Sequence, residues 1–314
     1  MRHFAEFIVI SHLNMQKPKN ILLIKRAQKH SPNSVDRDTA ILLAVADCLT
    51  AKGHSVTIAN EEDLPVEHHA DIILSMGRNH ATLQWLAEIE ESGIPVFNSA
   101  KAMLGISRRK LLLTAQELGV GVPPFAIFSG DKSSNYKSSN CKSSNCKLTF
   151  PVWWKRDDRS SQERGDVLLI HNQEEWQSVM QRGITEYVVE QHSEGDLVKF
   201  YSVSGTSFFH WNYPVFSKFG NEAVNGSAQG FHFDEQRLKQ QVDLLALAVG
   251  LTIVGGDAII MADGSFRIID FNDWPSFSSC REEAAKAITA LATPLPCPPP
   301  SGRELTPSSI ENNK

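Results

Sequence analysis

The sequence predicts a chain of mixed α/β and α+β character, with an open parallel sheet first and two mixed α+β units after it. Three observations carry this expectation. Between residues 20 and 98, short continuous apolar runs alternate with stretches of helical apolar spacing. From residue 126 onward, strands follow one another with few helices between them. Near the C-terminal end, two apolar strands flank Ala262-Asp263-Gly264, a hairpin turn.

Asn20 to Lys25 reads as a buried parallel strand, since it is a short unbroken apolar run. A polar loop, Arg26 to Asp36, leads to a helix over Asp38–Lys52, with apolar positions at Ile41, Leu42, Val45 and Leu49 and a closing Gly53. Strands are expected at Ser55–Ala59, Asp71–Met76 and Pro95–Asn98, with a helix over His80–Ser92. A helix over Ser107–Leu118 ends at Gly119, and strands follow at Ala126–Ser129 and Phe150–Lys155. Between those strands, Lys132 to Lys147 repeats Lys-Ser-Ser-Asn in steps of five residues and offers almost no apolar surface, so a disordered surface loop is expected there. Further strands fall at Val167–Ile170, Glu186–Gln191 and Leu197–Val203, then a helix at Glu235–Gly250. The hairpin strands are Gly255–Met261 and Ser265–Phe271, and a last helix covers Glu282–Leu291. The expected division is an extension at 1–19, with Met15 as an alternative start, a parallel α/β domain at 20–104 and a central unit at 105–192 containing the loop 131–147. A C-terminal unit at 193–293 and a disordered tail at 294–314 complete it.

Composition narrows the function classes. Hydrophobic content of 41% with 21% charged residues is that of an ordinary globular chain. The net charge of −5 gives no reason to expect nucleic acid or an anionic membrane as partner. No apolar run approaches the roughly 20 residues that span a bilayer. The apolar stretch Phe4–Leu13 is short, carries Glu6 and His12, and does not read as a signal peptide. The five cysteines, Cys48, Cys141, Cys146, Cys280 and Cys297, show no zinc-ligand spacing, so reduced thiols and a cytoplasmic setting are expected. The first strand runs into Lys-Arg-Ala-Gln-Lys-His without a Gly-x-Gly-x-x-Gly loop, which argues against a dehydrogenase.

The stretch Val254 to Pro275 is the most informative. Asp270 and Asn272 are two apart on one strand and so share a face, and Asp257 on the partner strand can face them. Two carboxylates and an amide oxygen are hard donors, suited to Mg2+ held jointly with nucleotide phosphates. Among apolar flanks such as Ile259, Ile268 and Phe271, that cluster would be unfavourable without a cation. Lys155 ends an apolar strand and can meet phosphate oxygens. Lys25, Arg26, Lys29 and His30 follow the first strand and Arg78 follows the third, where open sheets place ligands. They read either as a basic rim for a small anionic co-substrate or as a solvated loop.

In these features the sequence resembles the ATP-grasp superfamily. Gly255-Gly256-Asp257, the turn, and Asp270-Phe271-Asn272-Asp273-Trp274-Pro275 match the family's closing strands. Upstream, in the same order as in the family, come Phe97-Asn98-Ser99, Arg108-Arg109-Lys110 and Phe150-Pro151-Val152-Trp153-Trp154-Lys155. Val188-Val189-Glu190-Gln191 with Gly195-Asp196 completes the series. The resemblance spans roughly residues 20–290 and implies a three-part architecture holding ATP between the central and C-terminal parts. It implies two Mg2+ ions on Asp257, Asp270 and Asn272, with Mn2+ as the alternative metal. Lys155 and either Arg108 or Lys110 would meet the phosphates, Glu190 and Gln191 the adenine through their backbone, and Asp196 the ribose. Ser160 and Ser161 would donate from the phosphate loop, which here lacks the family's several glycines. Many ligases of this family carry an arginine two positions before the metal aspartate; here that position is Gly255, so Arg281 or Lys199 would stand in. The implied activity is a ligase joining a carboxylate to an amine. A kinase similar to the inositol phosphate kinases is the alternative, suggested by Lys199-Phe200-Tyr201, and a non-catalytic ATP-binding module is the third. A homodimer is the default assembly.

Overall fold

The computed structural model describes residues 17–65, 69–129, 148–157, 165–214 and 226–292. The N-terminal extension, the Lys-Ser-Ser-Asn repeat, Ser160, Ser161 and the Pro-rich tail lie outside the described residues.

The first sheet is wholly parallel, in the order β2-β1-β3-β4, from β1 (Asn20–Lys25), β2 (Ser55–Asn60), β3 (Ile72–Ser75) and β4 (Val96–Phe97). β1 lies between two neighbours, which is why Ile21 to Ile24 form an unbroken buried run. Helix α1 (Val35–Ala51) covers one face and α2 (His80–Glu91) the other. Asp36 and Asp38 in the first turn of α1 suit the positive end of its dipole. Gly53, at φ +86°, takes the left-handed conformation that ends the helix.

The second sheet is antiparallel, in the order β5-β8-β6-β7, from β5 (Phe125–Phe128), β6 (Val152–Arg156), β7 (Val167–Ile170) and β8 (Tyr187–Gln191). Its core is built on Trp154, Trp176 and Val189. The third sheet, also antiparallel, runs β10-β9-β11-β12 from β9 (Asp196–Val203), β10 (Phe209–Asn212), β11 (Ile253–Ile260) and β12 (Phe266–Asp273). Helices α3 (Ala100–Gly105), α4 (Arg108–Glu117) and α6 (Glu235–Ala248) pack with one face of this sheet. The mixed α+β fold class is as the sequence predicts.

Among the described residues, four elements are additional to those expected: the 3-10 turn Gln28–His30, α3, β10 and α5 (Gln173–Met180). α5 is eight residues long and rests on an Asn172 cap that accepts from two backbone N–H groups, with Trp176 buried beneath it. Helices this short draw on caps and packing, which apolar periodicity does not reveal.

Two links hold the sheets together. The buried Asn98 carboxamide donates to the Ile253 carbonyl (2.9 Å) and accepts from the N–H groups of Thr252 (2.8 Å) and Ile253 (2.7 Å). This joins the end of the first sheet to the start of β11. The last helix, α7 (Arg281–Ala290), returns to pack on α1, with Trp274 and Phe277 beside it in the same core. Among the described residues no helix is long and apolar enough to cross a membrane.

Candidate active site

The antiparallel register of the third sheet assembles the site. Asp257 on β11 lies opposite Asp270 on β12 and opposite Lys199 on β9, while Gly255 lies opposite Asn272. These side chains therefore share one sheet face. The Asn272 amide donates to Asp270 Oδ2 (2.7 Å), and Lys199 Nζ donates to Asp257 Oδ1 (2.6 Å). Burial pushes the Asp257 carboxyl up, and the pull of Lys199 is opposed by the neighbouring Asp270 charge. Burial works the same way on Asp270, but Arg108, Lys155, the Asn272 amide and Lys199 outweigh it and hold that carboxyl below the usual carboxylate range. Asp257 pairing and hydrogen bonding likewise overcome the desolvation of Lys199 and raise it.

Among the described residues, no three His, Cys, Asp or Glu side chains form a metal-sized group. The set here is two carboxylates and one amide oxygen. Such donors fit a hard divalent cation whose remaining ligands come from phosphate or water.

Two cations from other elements converge on this hairpin. Lys155 on β6 is buried (6% exposed), and its ammonium donates to Glu190 Oε2 (2.7 Å) and to the Ile269 carbonyl (2.6 Å), one residue before Asp270. Arg108, in the first turn of α4, reaches Asp270 Oδ1 (3.5 Å) and the Arg156 carbonyl (3.1 Å). Of the two candidates on α4, Arg108 lines the cleft beside Asp270 and Lys110 is exposed.

Several expectations need correction. β8 lies between β5 and β6, so the backbone of Glu190 and Gln191 sits inside the sheet. The Gln191 N–H donates to the Pro124 carbonyl (2.8 Å), and its side chain braces Thr149 and Pro151. A strand with a neighbour on each side has no free edge for adenine. What Glu190 contributes is its carboxylate, held on Lys155. Asp196 is 2% exposed and accepts from the N–H groups of Gln229, Gly230 and Phe231, so it anchors a loop and does not present oxygens to a ribose. Arg281 begins α7 and makes no ion pair with the hairpin carboxylates; Lys199 is the cation that stands beside them.

The basic rim is also not an open one. Arg26 is buried, paired with Asp38 (3.2 Å) and Asp273 (3.3 Å), and donates to the carbonyls of Met76 and Trp274. Arg78 grips both oxygens of Asp273. His30 meets the Asn79 side chain (3.0 Å), and Lys29 is exposed. Two acids that sequence reasoning passed over organise this edge. Asp273 ties both arginines to the end of β12. Glu61, 4% exposed, accepts from the N–H groups of Ala27, Arg78 (2.7 Å) and Asn79 (2.8 Å), and so fixes both ligand-edge loops. Asp273 could have been noticed as the residue after Asn272, but nothing local separates Glu61 from Glu62.

A cleft of about 200 Å³ opens along β12, with Arg108, Glu190, Asp270 and Asn272 at its polar end and Arg78, Asp273 and His30 at its lip. Apart from Ser107, its remaining lining is apolar.

No protein-family profile and no curated protein matches this sequence. Solved structures do. An ATP-grasp RimK domain protein from Sphaerobacter thermophilus superposes with a TM-score of 0.60 at 15% identity, over 86% of this chain and 98% of that one. D-alanine–D-alanine ligase from Bacillus anthracis, solved with ATP, gives 0.57 at 12% identity over 88% and 97%. The ATP-grasp ligase PsnB, solved with a minimal precursor, gives 0.57 at 14% over 88% and 98%. The chain has the ATP-grasp fold.

Proposed function

We propose, on the premise of that fold, that this chain is a Mg-ATP-dependent ligase that activates a carboxylate as an acyl phosphate for attack by an amine. The observation that carries the reading is the convergence of Lys155 and Arg108, from two separate elements, on the hairpin bearing Asp257, Asp270 and Asn272. A divalent cation on those three residues, Mg2+ or Mn2+, would neutralise charge on the β- and γ-phosphates. Lys155 and Arg108 would bind the remaining phosphate oxygens, each exchanging part of its present protein pairing for phosphate. Lys199 would face the developing oxyanion, since Gly255 offers no side chain there. The carboxylate oxygen attacks the γ-phosphorus and ADP leaves; the amine then attacks the acyl carbon and inorganic phosphate leaves. Rigid placement of the two substrates supplies much of the remaining acceleration.

A kinase is the second reading, favoured by one observation: a Cβ at Gly255 would lie 2.7 Å from Pro275 Cγ, so an arginine there would require Pro275 to shift. Against it, Arg26 and Arg78 are already paired with Asp38 and Asp273, which leaves the lip poorly suited to a polyphosphorylated acceptor. Phosphorus NMR of the protein with Mg-ATP and fractionated metabolites decides between them. ADP and free phosphate in equal amounts, dependent on a carboxylate and an amine, support the ligase. ADP with a new phosphoester and no free phosphate would replace it with the kinase.

A further inference from the structure

The cleft is chemically lopsided. The polar lining includes Asp270, Asn272, Glu190 and Arg108, whereas Leu83, Met103, Leu111, Leu112, Val122 and Leu245 contribute apolar wall. These residues come from α2, α3, α4, the segment before β5, and α6, so four helices and a connecting segment converge on one apolar compartment. Leu111 and Val122 are only partly buried and face this space without closing it. At the lip, Arg26 and Arg78 are matched by Asp38 and Asp273, an arrangement poorly suited to a second or third anionic group there. A concave, mainly apolar space with a few convergent polar groups is the usual form of a small-molecule site.

We infer that the carboxylate substrate is a monoanion with an apolar substituent, its carboxylate at the Arg108–Asn272 end and its substituent among Leu83, Met103, Leu111, Leu112, Val122 and Leu245. At about 30 Å³ for each water-sized group, a volume of about 200 Å³ takes roughly seven heavy atoms. Because that volume includes the polar end of the cleft, it sets an upper bound near hexanoate and excludes a long acyl chain. The inference rests on the carboxylate-activation reading and adds the class of acid to it.

Hydroxylamine trapping tests it on the full chain. With Mg-ATP, an acyl phosphate formed at the site loses phosphate to attack by the hydroxylamine nitrogen and appears as a hydroxamate. The acids are the straight-chain series from acetate to decanoate, with succinate and citrate as polyanions, each below saturation. The expected rate rises about fourfold per added methylene up to hexanoate, which corresponds to about 0.8 kcal/mol for each buried CH2, and falls for octanoate and decanoate. Val122→Phe and Leu111→Phe, which fill the compartment from partly buried positions, each lower the hexanoate rate about tenfold or more relative to the acetate rate. Leu247→Phe, on the exposed face of α6, leaves both rates unchanged. Equal rates for acetate and hexanoate, a preference for citrate, or undiminished hexanoate turnover in folded filled variants would overturn the inference alone. No hydroxamate from any acid, with Mg-ATP still binding by calorimetry, would overturn the carboxylate-activation reading beneath it.

Discussion

Lys155 carries its charge in a buried place because two acceptors are waiting for it, the Glu190 carboxylate and the Ile269 carbonyl. Taking away one partner of a buried pair leaves the other desolvated and unmatched, at a cost of about 3–5 kcal/mol, whereas replacing both with apolar groups is often close to neutral. Glu190→Ala is therefore expected to lose stability on that scale in urea unfolding, and Lys155→Met with Glu190→Leu to recover most of it while losing nucleotide binding. Equal stability of Glu190→Ala and wild type would show that the pair is not formed. A second residue-scale prediction concerns His54, whose Nδ1 accepts the Lys19 N–H (3.2 Å). Burial first, then Lys19 and Lys52, hold its pKa below the ordinary histidine value of about 6.5. A depressed folded pKa means that the stability is fully present above the unfolded value and is lost as pH falls through the folded one. Wild type should then lose more stability than His54→Asn between neutral pH and pH values below that ordinary one; parallel losses would exclude the effect. At this scale the types of residue at the hairpin were legible, since spacing places Asp270 and Asn272 on one face and lets Asp257 face them, while the strand register sets Asp257 opposite Asp270. The roles of Glu190 and Asp196 were not legible, because both depend on burial and on which strands become interior.

The β11–β12 hairpin owes its form to close backbone approach. A Cβ at Gly256 would come within 2.1 Å of the Asp270 carbonyl, and one at Gly255 within 2.7 Å of Pro275 Cγ and 3.1 Å of the Phe200 carbonyl. Gly255→Arg, which restores the arginine common among ATP-grasp ligases, should consequently overpack the hairpin and destabilise the chain by about 1–3 kcal/mol. Thermal unfolding checks this; an unchanged midpoint together with faster ATP turnover would mean that the strand can yield. Long elements with strong apolar runs, β1 and α1 among them, were readable because their burial is uniform along one face or on both. α5 was not, since its stability lies in the Asn172 cap and Trp176 rather than in a repeated pattern. β10 escaped for a different reason: all four of its residues are only half-buried at a sheet edge, which blurs the alternation.

Across the whole molecule, the three sheets are held in place by a few polar ties that pass between distant parts of the sequence. Asn98 pins the first sheet to β11, the Lys155 ammonium joins the second sheet to β12, and Asp273 draws Arg26 and Arg78 onto the end of β12. Loops at the ligand edge of the parallel sheet are thereby fixed relative to the hairpin carboxylates, which is what a two-substrate reaction requires. The general architecture could be read from the order of strands and helices. Pairing of the basic rim could not, because Arg26 and Asp273 are far apart in sequence and local charge counts see only the arginine. Everything functional in this account depends on a divalent cation joining ATP to Asp257, Asp270 and Asn272. The most direct test is titration calorimetry of ATP with and without Mg2+, on wild type and on Asp270→Ala, with thermal unfolding of both. Wild type is expected to bind Mg-ATP and to lose affinity with a chelator. Asp270→Ala should bind about tenfold or more weakly while unfolding as a cooperative fold. Metal-independent binding, or wild-type affinity in Asp270→Ala, would contradict it.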